Sequence, residues 1–168
     1  DLCNNCENCL QNIDEEIDII EIDAASNNGV DEIREIRNNV KLMPVHLKYK
    51  VYIIDEVHML STSAFNALLK TLEEPPKHVI FILATTEFNK IPSTVISRCQ
   101  KFDFKKITIK QIEGRLKYIL EKENKTLNDD VISLIAKLSD GGLRDAINTL
   151  DQVISLDKEN ITTDDVYN

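Results

Sequence analysis

The sequence predicts an α/β unit built on a parallel sheet, followed by a small all-α unit of three helices. Three observations carry this. Two short apolar runs, Val51-Tyr-Ile-Ile54 and Val79-Ile-Phe-Ile-Leu-Ala84, read as strands buried on both faces, the pattern of a parallel sheet. The stretch between them sets Phe65, Leu68, Leu69 and Leu72 on one helical face, so strand, helix and strand form a crossover unit. Beyond Lys105 only helical periodicity remains. The chain is therefore read as an α/β domain over 1–104 and a helical domain over 105–168.

Taken in order, Ile17 to Ile22 has strand character, and Asp23-Ala-Ala-Ser-Asn-Asn-Gly29 reads as a loop. From Val30 the apolar positions Val30, Ile33, Ile36 (or Arg37) and Val40 recur at helical steps, and Pro44 closes that segment. The strand at Val51 runs straight into two acids, Asp55 and Glu56. Ser61 or Thr62 can cap the next helix, and Glu73-Glu74-Pro75-Pro76 stops it. Ile91-Pro92 to Ile96 predicts a short helix leading to Ser97-Arg98-Cys99. Lys101 to Phe104 predicts one more strand, with Phe102 and Phe104 on one face.

Thr108 then opens a helix carrying Ile112, Leu116, Ile119 and Leu120. Asn128 opens another with Val131, Leu134, Ile135 and Leu138. After the Gly141-Gly142 break, a third helix carries Leu143, Ala146, Ile147, Leu150 and Ile154. Thr162 or Thr163 starts a further helix. The chain begins without Met and stops inside that turn, so it reads as a fragment of a longer protein.

A net charge of −9 argues against a dedicated nucleic-acid surface, which would need clustered Lys and Arg. It leaves open DNA work done through partner subunits. No apolar run approaches the ~18 residues of a membrane span, and no secretion signal is present, so the expected setting is the cytoplasm. Of four cysteines, three are spaced C-x2-C-x2-C at Cys3, Cys6 and Cys9. That spacing suits zinc, whose structural sites take four N or S ligands. The fourth ligand is expected upstream of Asp1. Cys99 reads as a small buried hydrophobe, and His46, His58 and His78 are too scattered for a ligand set. His58 is assigned no chemistry.

Acids at the end of a buried strand are costly unless they meet a cation or water. The C-terminal edge of a parallel sheet is where open α/β folds bind ligands. There Asp55 can hold a magnesium ion on nucleotide phosphates, and Glu56 can orient or deprotonate the attacking water. Thr85 or Thr86, at the tip of the adjacent strand, can reach the same water or the terminal phosphate.

Several stretches together closely resemble the AAA+ clamp loaders of bacterial DNA replication. They are Asp55-Glu56-Val57-His58-Met59-Leu60, Phe65-Asn66-Ala67-Leu68-Leu69-Lys70-Thr71-Leu72-Glu73-Glu74-Pro75-Pro76, Ala84-Thr85-Thr86, Ser97-Arg98-Cys99, Glu21-Ile22-Asp23-Ala24-Ala25-Ser26 and Gly142-Leu143-Arg144-Asp145-Ala146. The resemblance covers nearly the whole chain. It implies a partial P-loop-type parallel sheet with flanking helices and a three-helix lid, and ATP with magnesium as the bound pair. By this resemblance Asp55 is the Walker B magnesium ligand, Glu56 the catalytic base, and Thr86 (or Thr85) the sensor-1 residue. Arg98 is the finger that reaches a neighbouring subunit's ATP. Arg144 senses the terminal phosphate, unless it merely pairs with Asp145 or Asp151 on its own helix. Cys3, Cys6 and Cys9 are the last three ligands of a four-cysteine zinc module. Other clamp-loader subunits in a heteropentameric ring, a sliding clamp and primer-template DNA are the implied partners, with no membrane.

No Gly-x4-Gly-Lys-[Ser/Thr] occurs in the 168 residues. Without such a loop the phosphates lose their main cradle, so these residues alone are expected to be inactive toward ATP. Two other readings share the acidic pair: a DExH helicase or other P-loop remodeller, and a non-catalytic clamp-loader scaffold subunit. The first would continue into a second α/β domain rather than into helices, and the second typically loses the acidic pair.

Overall fold

The computed structural model describes residues 17–156, 158 and 161–167. Cys3, Cys6 and Cys9 lie outside the described residues. The chain divides into two compact units between Lys101 and Phe102, just ahead of the boundary expected near Lys105.

The first unit is a parallel sheet of three described strands, ordered β1 (Ile19–Asp23), β2 (Lys50–Asp55) and β3 (Val79–Leu83). The registers pair Asp23 with Asp55 and Ile54 with Leu83, so all three strands finish at one edge. The crossovers are α1 (Val30–Asn39) and α2 (Thr62–Glu73). Their inward residues Ile33, Ile36, Ala64, Phe65 and Leu68 form one buried cluster with Tyr52 and Ile54 of β2. Burying a side chain of this size contributes roughly 1.5–3 kcal/mol. Tyr52 also stacks on Phe81, the ring centroids 5.4 Å apart. The N-cap of α2 is Ser61, whose hydroxyl accepts the Ala64 N–H at 3.2 Å.

β2 departs from the expected burial on both faces. Tyr52 and Ile54 are buried while Val51 and Ile53 are half-buried, and Ile80 and Ile82 of β3 are exposed. The two crossover helices share one cluster with the Tyr52 face, so the burial is one-sided among the described residues.

A short helix α3 (Ser93–Ile96) follows a 3-10 turn at Phe88–Lys90. The strand expected at Lys101 to Phe104 is absent. Phe102 is 70% and Phe104 92% exposed, and neither takes part in the sheet. Two aromatics at a spacing of two satisfy a strand pattern, but a strand also needs a neighbour to pair with. Cys99, expected to be buried, is exposed just past α3.

The second unit packs α4 (Ile109–Lys122), α5 (Asp129–Leu138) and α6 (Leu143–Ile154) around a second cluster. Thr108 and Gln111 form a reciprocal capping box at the start of α4. Ile112, Leu116, Leu120, Val131, Ile135, Ala146 and Leu150 are buried as the periodicity requires, and Ile132 and Val153 join them. Leu134 and Leu138 are the exceptions: Leu134 is half-buried outside the cluster, and Leu138 is 52% exposed. Gly141 takes φ +85, a region where a side chain is strained, and a Cβ there would meet Lys106 at 2.7 Å. Its carbonyl accepts the Ile107 N–H, tying the entry of α4 to the α5–α6 turn. Thr162 opens a 3-10 turn, Thr163–Val166.

Candidate active site

The site is the C-terminal edge of the sheet. Asp55 is the last residue of β2 and is exposed. Its Oδ1 accepts the Glu56 N–H at 2.9 Å, and among the described residues Oδ2 takes no protein donor. The strand stops here because Glu56 enters the left-handed region, φ 45 and ψ 43. For a residue with a Cβ this strain costs roughly 1–2 kcal/mol, and it concentrates where geometry serves function. The turn swings the Glu56 side chain toward the tip of β3.

There it is held. The Thr86 hydroxyl donates to Glu56 Oε2 at 3.1 Å, and the Thr86 N–H lies 3.4 Å from the same oxygen. Backbone bonds fix the two tips against each other: Ala84 N–H to the Ile54 carbonyl and Val57 N–H to the Ala84 carbonyl, both 2.9 Å. Of the two threonines left open by the sequence, Thr86 is thus the one on Glu56. Thr85 faces His58, its Oγ1 3.0 Å from His58 Nδ1.

His58 is the residue that sequence reasoning missed. Its side chain is 7% exposed, Nδ1 lies 3.1 Å from Glu56 Oε2, and Nε2 lies 3.5 Å from Glu87 Oε1. The Glu87 carboxyl is held below the usual carboxylate range, first by its hydrogen bond from Lys90 and in smaller part by the charge of Lys90 and His58. The available signal was adjacency, since His58 is two residues from Glu56. The contacts to Thr85 and Glu87 depend on the pairing of β2 with β3.

Asp23, at the end of β1 and paired in register with Asp55, is occupied instead by its own loop. It accepts the Ser26 hydroxyl at 2.6 Å and the Ala25 N–H at 2.8 Å, which lower its carboxyl below the usual range, Ser26 most.

Arg98 bonds to neither Asp55 nor Glu56. One terminal nitrogen donates to the Thr94 carbonyl at 2.6 Å, and the other to Glu73 Oε1 at 2.8 Å. The guanidinium is thereby fixed between α3 and the end of α2 while staying about a third exposed. Arg144 is exposed in the first turn of α6, and among the described residues it forms no ion pair with Asp145 or Asp151. The structure therefore brings together Asp55, Glu56 and Thr86, sets Arg98 apart from them, and carries Arg144 on the second unit.

A parallel sheet with flanking helices, followed in the chain by a helical unit, is the arrangement of AAA+ proteins. Solved structures with this fold include RuvB from Thermotoga maritima, with a TM-score of 0.67 at 22% identity over 89% of this chain and 51% of that one. A DNA polymerase III gamma subunit-related protein from the same organism gives 0.54 at 24%, over 83% and 46%. Residues 1–108 match the family model described as DNA polymerase III, delta subunit. Residues 111–164 match the DNA polymerase III clamp loader subunit, ATPase lid domain.

The chain belongs to the gamma/tau clamp-loader family of DNA polymerase III. It is 58% identical to the tau subunit of Bacillus subtilis over 164 residues, 97% of this chain and 29% of that protein. It is 52% identical to the gamma/tau subunit of Mycoplasma genitalium, over 99% of this chain and 28% of that one. Against the tau subunit of Escherichia coli the identity is 45%, over 96% and 25%. The chain thus spans less than a third of the length of these curated relatives.

Proposed function

We propose that the full-length protein is the ATP-hydrolysing subunit of a clamp loader. It works in a heteropentameric ring with other clamp-loader subunits, in the cytoplasm. ATP binding lets the ring grip and open a sliding clamp, and hydrolysis on primer-template DNA releases it. The observation that carries this reading is the Glu56 carboxylate held by Thr86 beside the open Asp55 carboxylate. Asp55 fits a magnesium ligand because Oδ2, at an exposed strand end, has no donor among the described residues. When bound, the ion neutralises charge on the phosphates. Glu56 takes a proton from the attacking water through Oε1, the oxygen to which no described residue donates. Arg98, held by Glu73 yet partly exposed, serves the ATP of a neighbouring subunit, and Arg144 senses the terminal phosphate in its own. The exposed apolar loop of Leu42, Met43 and Val45 supplies surface of the kind assemblies bury. The 168 residues alone, having no phosphate-binding loop sequence, bind ATP too weakly to turn it over.

Glu56→Gln in the full-length protein tests this. ATP affinity should persist while turnover falls about 100-fold or more, the range of a lost general base. Unchanged turnover overturns the assignment. Cys3, Cys6 and Cys9 are proposed as zinc ligands completed by a fourth residue. Metal analysis of the full-length protein should then give one zinc per chain, and a metal-free protein of native stability contradicts it.

A further inference from the structure

The His58 ring is buried yet faces polar groups on both nitrogens: Thr85 Oγ1 at 3.0 Å and Glu56 Oε2 at 3.1 Å on Nδ1, and Glu87 Oε1 at 3.5 Å on Nε2. A core histidine kept only for packing has no need of that set. Nδ1 is hydrogen-bonded to Thr85 Oγ1, and the Glu56 carboxylate lies beside that nitrogen at 3.1 Å without a hydrogen bond to it. A proton on Nδ1, donated to Thr85 Oγ1, sets the positive end of that N–H beside the carboxylate, an attraction where a bare lone pair would repel. Thr85 Oγ1 also accepts the Glu87 N–H at 3.0 Å, so the loop after β3 presents an oxygen already oriented toward the ring. Glu87 is braced in turn by Lys90 Nζ at 2.7 Å.

These contacts fall unevenly on Glu56. Oε2 accepts from the Thr86 hydroxyl and faces the Thr86 N–H, with His58 Nδ1 a charge neighbour at 3.1 Å, while no described residue donates to Oε1. We propose that His58 is a positioning residue for Glu56: its Nδ1–H, donated to Thr85 Oγ1 with its positive end 3.1 Å from Oε2, helps Thr86 to hold Oε2 and leaves Oε1 as the one oxygen turned to the attacking water. This rests on the reading of Glu56 as the base. His58 touches neither water nor nucleotide; it acts through Glu56, and through Thr85 and Glu87 it links the base to the loop after β3. Orienting partners of this kind typically contribute 10- to 100-fold.

The test uses full-length protein with His58 replaced by Ala, Asn and Gln, reading kcat, KM for ATP and MgATP affinity. The amide nitrogen of Asn falls near the place of Nδ1, and that of Gln near Nε2. His58→Ala should lower kcat about 10- to 100-fold with affinity within about twofold. His58→Asn should restore kcat to within about fivefold of native, and His58→Gln should stay near the Ala value. Equal recovery by Asn and Gln, recovery by neither, or an unaffected Ala variant overturns the proposal. Should the Ala variant fail to fold, the Asn and Gln pair decides alone. Glu56→Gln is run alongside. If it leaves turnover intact, the reading of Glu56 fails and this inference with it. If it abolishes turnover while the His58 variants do not separate, only the inference fails.

Discussion

The two ends of the sheet use carboxylates in opposite ways. At the N-terminal end, Asp18 is fully buried and saturated. Its oxygens accept the N–H groups of Val45, His46 and Leu47 at 2.6–2.9 Å, clamping the loop before β2 onto the start of β1. Burial by itself raises the Asp18 carboxyl, but the amides of Leu47, Val45 and His46 outweigh it and hold the group below its usual range. At the C-terminal end, Asp55 and Glu56 each leave one oxygen without a donor among the described residues. A carboxylate satisfied on all sides is an anchor; one held by a single oxygen still has chemistry to offer. Burial and bonding separate the two jobs, although the sequence writes the same residue type for both.

The largest stability effect should come from breaking the anchor. Asp18→Asn removes the charge that the three N–H groups meet and sets an amide NH2 against the Val45 N–H, and should cost about 1–3 kcal/mol of unfolding free energy, read by urea titration. The pH dependence has a definite sign. Because the folded-state carboxyl lies below its unfolded value of about 3.9, its stabilisation is complete above that value. It is lost as pH falls through the folded-state value. Native protein should therefore lose stability in acid below about pH 4, and Asp18→Asn should show a flatter acid limb. Asp165, lowered to about 2 chiefly by its hydrogen bond from Lys158, adds to the native acid limb in the same direction.

A smaller effect belongs to the open end. Thr86→Val removes the hydroxyl on Glu56 Oε2, a hydrogen bond of about 1–1.5 kcal/mol, and should lower kcat about tenfold with KM for ATP little changed. An equal loss in KM would mean that Thr86 serves binding instead. The smallest stability effect is expected at Arg98. Its ion pair with Glu73 is partly exposed, so Arg98→Ala should shift stability by less than about 1 kcal/mol. In the assembled ring the same change should sharply lower turnover while each subunit still binds ATP. Unchanged ring turnover would sink the role in trans.

What the sequence disclosed follows the same division. Helical periods made α1, α2 and the three helices of the second unit legible, because burial on one side writes a period into the chain, while β2 and β3 were legible as unbroken apolar runs whose burial is one-sided among the described residues. Phe102 and Phe104 show the limit: their spacing mimics a strand, but pairing is a property of neighbours. Asp55 and Glu56 were legible as acids at the end of an apolar strand. The choice of Thr86 over Thr85, and the placing of His58 between Glu56 and Glu87, were not. Both depend on the register of β2 against β3, which brings residues about thirty positions apart into contact. Asp18 was equally hidden, its partners lying 27 to 29 positions away in a loop without regular structure.

The most direct measurement is turnover and urea midpoint, read together, for Asp18→Asn and Glu56→Gln in the same full-length protein. The two variants should cross. Glu56→Gln should lose about 100-fold or more in turnover at an unchanged midpoint, while Asp18→Asn should drop in midpoint with the folded protein's turnover within about twofold, as expected of separate sites. Two variants that fall together in both readouts, or a Glu56→Gln protein that still turns ATP over, would contradict the account.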